Sequence, residues 1–171
     1  KIFPNFLNHP LWNKNKIIPF KRFFKLQLAF TRGNNIVNVN WINQLILPIQ
    51  KGDHSLTGNY YLGLMEFYDM SFVLHFLRKN DLFIDIGANL GSYSLLASGL
   101  CGCSSIAYEP VPNTYSKLVK NLNIQNFREK IIAKKIGLTS HDFVEDKVLF
   151  STDRGCCNSV VDKNYKGEKE Y

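Results

Sequence analysis

No stretch of this chain is apolar for long enough to cross a membrane. Although 45% of its 171 residues are hydrophobic, Lys, Asn or Pro interrupts every cluster before the ~18 residues that a spanning helix needs. The sequence also has no secretory signal pattern ahead of the fold, no internal repeat and no low-complexity tract. Charged residues make up only 20%, which is not the composition of a disordered chain. These absences predict a globular protein.

Cysteine is scarce, and its spacing is not that of a common zinc site. The four cysteines form a Cys-x-Cys pair, Cys101 with Cys103, and a Cys-Cys pair, Cys156 with Cys157. Structural zinc sites usually space their ligands as Cys-x2-Cys. We therefore interpret these residues as reduced thiols of a cytoplasmic protein and expect no metal. A metal site shared by the two pairs is the less favoured alternative.

The most informative segment covers residues 82–91. A short apolar run, Leu-Phe-Ile-Asp-Ile, leads into the turn Gly-Ala-Asn-Leu-Gly. The residues after this turn have helical spacing, since Tyr93, Leu96, Ala97 and Leu100 fall at i, i+3, i+4 and i+7. Strand, glycine loop and helix together bring backbone N–H groups and a helix N-terminus close to a bound nucleotide. The segment therefore predicts a site for a cofactor that contains a nucleoside.

A second apolar run ends in an acid, Glu109, eighteen residues after Gly91. An acid at the tip of the second strand can hold a ribose through its hydroxyl groups. The first loop, Asp85-x-Gly87-x-x-x-Gly91, lacks the middle glycine of the dinucleotide fingerprint. The carboxylate of Asp85 would repel a pyrophosphate but suits a cofactor with an ammonium group and no phosphate, such as S-adenosylmethionine. A turn that uses glycine for geometry alone is the alternative.

Three segments together resemble the FkbM family of S-adenosylmethionine-dependent methyltransferases. They read Asp-Ile-Gly-Ala-Asn-Leu-Gly-Ser-Tyr-Ser from Asp85, Ala-Tyr-Glu-Pro-Val-Pro from Ala107, and Leu-Val-Lys-Asn-Leu-Asn from Leu118. The resemblance extends from about Thr57 to about Ser159. It implies transfer of a methyl group to oxygen, often a hydroxyl of a sugar or a natural product.

The resemblance also implies roles for individual residues. The glycine loop would line the methionine side of S-adenosylmethionine, and Glu109 would hold the ribose, with Pro110 shaping the next turn. Tyr93 would border the cofactor, with core packing as an equal alternative. The implied cofactor-binding residues are Asp85, Gly87, Ala88, Asn89, Gly91, Tyr93, Glu109 and Pro110. No catalytic residue is identified, because family members carry a later Asp-x-Glu-Gly-like motif that this sequence does not contain.

The implied fold is α/β: a Rossmann-like parallel sheet with helices on both faces, incomplete in this chain, preceded by a small basic N-terminal segment with a β-hairpin. We assign residues 1–56 to the basic, aromatic leader and hairpin. Residues 57–171 form the first half of the methyltransferase domain, which we expect to continue beyond the end of this chain. A half-sheet of this kind would leave apolar surface uncovered, since parallel sheets are normally buried on both faces.

Periodicity predicts the remaining elements. The leader has Pro4, Pro10 and Pro19 as breakers, and a polar loop covers Gly52–Gly58. A hairpin pairs residues 35–42 with residues 45–49, and helices cover residues 64–79 and the residues that follow Pro112. Further extended segments lie at 131–138 and 147–151.

Residues 14–32 combine six positive charges with aromatic and aliphatic side chains. One interpretation is that Phe23, Leu26 and Phe30 dock on the core while the charges stay solvated. The others are contact with an anionic membrane surface and contact with nucleic acid phosphates. The docked arrangement is favoured, peripheral membrane contact stays open, and nucleic acid is not expected as a partner.

The sequence thus predicts a methyltransferase that acts on a small-molecule or glycan acceptor. The alternatives are a non-catalytic binding or assembly module with a truncated Rossmann-like fold, and a NAD-dependent oxidoreductase. His54 is a candidate base, and Glu66 either approaches the cofactor or serves its own helix. His75 is better explained as a helix-surface or core histidine. Oligomeric state is not assigned.

Overall fold

The computed structural model describes residues 3–138, 149–151, 159–161 and 169–170. Its helical elements are α1 (Phe3–Asn8), a 3-10 helix (Pro10–Trp12), α2 (Ile17–Thr31), α3 (His54–Leu62), α4 (Phe67–Phe76), α5 (Ser92–Leu96), a π-helix (Ala97–Cys101), α6 (Pro112–Asn123) and a second 3-10 helix (Arg128–Lys130). Its strands are β1 (Ile36–Asn40), β2 (Ile46–Gln50), β3 (Leu82–Ile86), β4 (Ser104–Tyr108), β5 (Ile131–Lys134), β6 (Leu149–Ser151), β7 (Ser159–Val161) and β8 (Lys169–Glu170). Among the described helices, none has the length and apolarity to cross a membrane.

The central sheet is parallel and has the order β3-β4-β5. Ile84 of β3 lies opposite Ile106 of β4, which lies opposite Ile132 of β5. The helical segments α5 and the π-helix connect β3 to β4, and α6 connects β4 to β5. Alternation of parallel strands with helices is the Rossmann-like α/β arrangement, so the predicted fold class is confirmed.

Within the described residues, the connecting helices cover one face of this sheet. Residues that point to that face are buried, such as Ser105 and Ala107 of β4 and Ile131 of β5. Alternate residues on the opposite face are exposed, and the set comprises Leu82, Ile84, Ile86 and Ile132. Because side chains of a strand alternate between faces, the exposed set forms one continuous apolar surface. An uncovered face was expected from the half-sheet.

The N-terminal segment is more helical than the sequence suggested. Pro4 lies inside α1 and Pro19 inside α2, each close to the start of its helix, so their interpretation as breakers is wrong. A proline in the first turn of a helix removes an N–H group that would have no partner in the helix anyway. The predicted polar loop at Gly52–Gly58 is also wrong in its larger part, because α3 begins at His54. The predicted hairpin is confirmed as the antiparallel pair β1 and β2.

One cluster of buried side chains joins the N-terminal segment to the parallel sheet. It includes Phe6 of α1, Leu26 of α2, Leu47 of β2, Leu95 of α5 and Leu122 of α6. Helix α3 crosses residue 56, where we divided the chain, and packs between α2 and α5. The division at residue 56 stays a prediction.

The strands β6, β7 and β8 form a separate antiparallel sheet of order β7-β6-β8. The extended segment predicted at residues 147–151 coincides with β6 in the residues that the structure describes. Cys101 and Cys103 are free thiols, whereas Cys156 and Cys157 lie outside the described residues. No group of three or more His, Cys, Asp or Glu side chains in the described part could hold a metal ion.

Candidate functional site

The glycine loop, residues 87–91, leaves β3 with a backbone that few side chains would permit. Gly87 and Gly91 have φ values of 76° and 89°, and Asn89 between them has a φ of 51°. The left-handed region costs an L-residue roughly 1–2 kcal/mol, and glycine and asparagine enter it most readily. The Gly-Ala-Asn-Leu-Gly sequence is therefore what this turn requires.

The two glycines differ in their surroundings. A Cβ atom on Gly91 would lie 2.7 Å from Leu118 Cδ1 of α6, so this glycine is also needed for close packing. A Cβ atom on Gly87 would meet nothing within 4 Å. Gly87 thus borders open space at the end of β3, where a ligand can approach the backbone.

The backbone N–H groups of the glycine loop are already used inside the protein. Gly87 and Ala88 both donate to the carbonyl oxygen of Tyr108, each at 2.9 Å, and Gly91 donates to the carbonyl of Ala88 at 2.8 Å. The N–H of Asn89 donates to Glu109 Oε2 at 2.9 Å. A loop that cradles phosphate needs free N–H groups, and these four have partners. The loop is therefore built for shape rather than for anion binding.

Glu109 follows β4 and connects the two loops of the site. Its second oxygen, Oε1, accepts the N–H of Val111 at 3.0 Å, and only 6% of the residue is exposed. Burial raises the pKa of Glu109, and the hydrogen bonds from Val111 and Asn89 offset part of that shift. Since an ionised carboxylate offers about four lone-pair positions, two remain for a ligand.

Asp85 holds the beginning of α5. Its Oδ2 atom accepts the backbone N–H of Ser94 at 3.1 Å and the Ser94 hydroxyl at 2.6 Å. Burial raises the pKa of Asp85, and the two hydrogen bonds from Ser94 act in the opposite direction. Its Oδ1 atom has no hydrogen-bond partner among the described residues, so one oxygen is left for a ligand.

Tyr93 connects the glycine loop to the residues before α4. Its hydroxyl donates to Glu66 Oε2 at 2.8 Å, and burial together with this acidic partner raises the pKa of Tyr93. A second connection runs through Asn59, which donates to Ser92 Oγ at 3.0 Å and accepts the N–H of Met65 at 2.9 Å. The segment around Glu66 is thereby fixed against the first turn of α5.

A cleft of about 590 Å³ lies beside Glu66. Aromatic rings contribute much of its wall, and polar groups include Thr57, His54 and Asp69; the rings are those of Phe6, Tyr61, Phe67 and Tyr68. Another lining residue, His9, has both ring nitrogens engaged, with Leu64 O at 2.7 Å and Leu11 N at 3.4 Å. Burial lowers the pKa of His9, so this histidine is a neutral structural group.

The structure brings the predicted site residues together at the carboxyl ends of β3 and β4. The N–H of Asn89 joins the glycine loop to Glu109, Asp85 is held beside them by Ser94 of α5, and Pro110 follows Glu109 directly. His75 lies on the surface of α4, where its Nδ1 is 2.7 Å from Ser71 O. Sequence reasoning did not identify Ser94, which holds Asp85, or Asn121, which donates to Leu90 O at 2.9 Å. Both residues lie in segments that carry the family resemblance, but their partners lie elsewhere in the fold and the sequence does not show which groups they contact.

The comparisons with known proteins show that the fold of this chain is similar to that of several solved structures. No family model and no curated protein sequence matches the chain. A Pyrococcus horikoshii protein proposed to be a transferase is 15% identical over 71% of this chain and 50% of its own, with a TM-score of 0.50. TYW2 of P. horikoshii, solved with MeSAdo, is 16% identical over 72% of this chain and 50% of its own, with a TM-score of 0.47.

Geranyl diphosphate methyltransferase, solved in complex with GPP and sinefungin, is 15% identical over 66% of this chain and 43% of its own, with a TM-score of 0.41. The chain spans about half the length of these structures or less. The likeness to the P. horikoshii protein proposed to be a transferase supports the Rossmann-like fold.

Proposed function

We propose that this chain binds S-adenosylmethionine at the ends of β3 and β4 and acts in methyl transfer, as a relative of the FkbM family. The observation that carries the proposal is the state of the glycine loop, in which four backbone N–H groups have partners inside the protein. Two buried carboxylates, Asp85 and Glu109, stand at this loop. A cofactor with cationic and hydroxyl groups and no phosphate fits such a site.

The same observation argues against a nicotinamide dinucleotide. Dinucleotide folds bind the pyrophosphate with free N–H groups of the glycine turn and the helix that follows. Here Tyr108 O takes two of those donors and Glu109 takes a third. A pyrophosphate would also approach the carboxylate of Asp85, so its charge would be repelled.

In this proposal Glu109 accepts hydrogen bonds from the ribose hydroxyls with the lone pairs that the loop leaves unused. Asp85 offers Oδ1 to the ammonium group of the methionine part. The open space over Gly87 lets the cofactor lie against the backbone. Ala88, Asn89 and Gly91 keep the turn in shape, and Tyr93 sets the position of Glu66 at the methionine end.

We further propose that the acceptor lies in the cleft beside Glu66. S-adenosylmethionine supplies a methyl group on a positively charged sulfur, which is already activated towards a nucleophilic oxygen. The protein then has to align an acceptor hydroxyl and remove its proton. Aromatic walls suit the apolar face of a sugar ring or of a natural product, and His54 is the candidate base on this wall.

Calorimetric titration with S-adenosylhomocysteine tests the cofactor, with NADH as the control ligand. We expect micromolar binding of S-adenosylhomocysteine and no binding of NADH. Asp85→Asn is the informative variant, because its amide oxygen can still accept from Ser94 while the charge is lost. Binding of NADH in preference to S-adenosylhomocysteine would overturn the proposal.

Transfer of a labelled methyl group to a panel of glycosides and polyhydroxylated natural products tests the reaction. Transfer that falls in His54→Gln while S-adenosylhomocysteine affinity is unchanged would support the acceptor assignment. Cofactor binding without transfer to any hydroxyl acceptor would instead favour the non-catalytic binding module.

A further inference from the structure

The first 52 residues contain no Asp or Glu and eight Lys or Arg, so this segment carries all of the excess positive charge behind the net +7 of the chain. Much of the basic charge lies on or next to α2, which has no acidic residue in its first turn. Positive side chains near the start of a helix oppose the helix dipole, and Lys14, Lys16 and Lys21 are all placed there. These charges therefore do not serve the stability of α2.

One face of α2 packs on the protein. Leu26 is fully buried, and Phe23 and Phe30 pack against the core. Arg22 also points inward, since its guanidinium donates to Tyr60 O at 2.8 Å and lies 5.2 Å from the centre of the Trp12 ring. This face fixes how α2 sits on the fold, and it uses one of the basic residues.

The opposite face of α2 is apolar at its centre. Ile17, Phe24 and Leu28 are 62%, 64% and 51% exposed. At 100° per residue, these positions fall within an arc of about 40° on the helix surface. Isolated exposed hydrophobic residues are ordinary on protein surfaces, whereas a row along one helix marks an interaction site. The row follows the solvent side of α2, opposite the docked side.

Basic residues flank this row. Lys21, Lys25 and Arg32 are exposed and project from the same side of the helix, at about 40–80° from the centre of the row. Lys14 and Lys16 are exposed just before α2 begins. A helix with an apolar stripe and adjacent cations is the arrangement that lies in the headgroup region of an anionic bilayer.

We propose that the outward face of α2 binds the surface of anionic membranes, with Ile17, Phe24 and Leu28 inserted among the lipids and the lysines in contact with acidic headgroups. The charge of the leader matches that partner. Nucleic acid would use the cations and a stacking contact with Phe24, but it would gain little from the aliphatic side chains of Ile17 and Leu28, so the apolar row favours the bilayer. Because the row runs along the helix, α2 would lie parallel to the membrane surface.

Sedimentation with lipid vesicles tests this surface in the full chain. We expect binding to phosphatidylcholine vesicles that contain about 30% phosphatidylserine, little binding to phosphatidylcholine alone, and weaker binding at high salt. Each lysine near an anionic surface contributes roughly fivefold to affinity, so Lys21→Gln with Lys25→Gln should weaken binding about 25-fold. Phe24→Ser with Leu28→Ser should weaken it about tenfold for each side chain.

Two matched controls and one spectroscopic variant complete the test. Phe72→Ser removes an equally exposed ring from α4, and Lys120→Gln removes an exposed charge from α6; neither should change vesicle binding. Phe24→Trp keeps an aromatic side chain, so its folding is not in question. Its additional emission should shift to shorter wavelength when anionic vesicles are added and be quenched by brominated lipid.

The proposal is overturned if Phe24→Ser with Leu28→Ser binds anionic vesicles as the unaltered chain does, or if the controls lose as much affinity. It is also overturned if the Phe24→Trp emission does not move. Binding to single-stranded RNA that the lysine variant loses and the Phe24→Ser, Leu28→Ser variant retains, without vesicle binding, would assign the surface to nucleic acid.

Discussion

Replacement of Glu109 by glutamine tests the cofactor site most directly. The carboxylate holds the N–H groups of Asn89 and Val111 at 2.9 and 3.0 Å, and in our proposal it also accepts from the ribose. Glutamine has nearly the same shape, but it is neutral and has one acceptor oxygen. Hydrogen bonds to a charged group contribute about 1.5–3 kcal/mol. S-adenosylhomocysteine affinity should therefore fall by about tenfold to somewhat over a hundredfold.

Alanine at the same position is a poorer test. Glu109→Ala would leave both backbone donors without an acceptor, at a cost of about 1–3 kcal/mol for each, so lost binding and lost stability would be mixed. Calorimetry on Glu109→Gln, with urea unfolding in parallel, separates the two quantities. Glu129→Gln, an exposed glutamate of the second 3-10 helix, is the matched control and should bind normally. Unchanged affinity in Glu109→Gln would refute the assignment of Glu109 to the ribose.

Three further predictions rest on the glycine loop, on the pKa of Glu109 and on an ion pair outside the candidate site. Gly91→Ala should lower the free energy of unfolding by about 2–4 kcal/mol, because alanine is strained at this φ and its Cβ atom would clash with Leu118. Gly87→Ala should lower it by only ~1–2 kcal/mol and should mainly weaken S-adenosylhomocysteine binding. Equal urea midpoints for the two variants would contradict this prediction. Burial raises the pKa of Glu109, so affinity should fall as acid protonates it, above the ordinary glutamate range, and Glu109→Gln should flatten that pH profile in calorimetry. Because the pKa of Glu109 is raised in the folded protein, the free energy of unfolding should decrease as the pH rises through that pKa. Urea unfolding measured across pH can detect the decrease. Asp53→Ala removes an ion pair to Lys117 at 2.9 Å and a hydrogen bond from the Gln50 N–H. It should lower the free energy of unfolding by about 1–3 kcal/mol. A change within ±0.5 kcal/mol in urea unfolding would contradict this prediction.

Local patterns in the sequence were sufficient for the parallel sheet and for the segments that form the candidate site, whose role as a cofactor site stays a prediction. The run Leu82–Ile86 and the glycine loop carry their own conformational requirements, and Glu109 ends the next apolar run. Helix α3 was missed because its sequence has no helical period. Five of its nine residues are buried, four of them consecutive from Asn59, so its helical form depends on packing from several sides rather than on an amphipathic stripe.

Partners across the fold could not be predicted from local patterns. The use of Asp85 as a cap for α5 depends on its distance from Ser94, and the sequence gives no measure of that distance. The same holds for Tyr108, whose carbonyl oxygen takes two loop donors although its side chain carries no signal. The apolar row on α2 illustrates a further limit, since Phe23 and Phe24 are adjacent and of one type, but Phe23 packs against the core and Phe24 is exposed.

The hydrogen bonds of the glycine loop to Tyr108 O have a consequence for binding kinetics. Because two consecutive N–H groups of the loop are held by the neighbouring strand, the loop keeps its shape independently of any ligand. A ligand that meets a preformed site loses little affinity to the ordering of the protein. Association should therefore follow a single phase whose rate rises linearly with ligand concentration, without the plateau that a slow conformational step would impose.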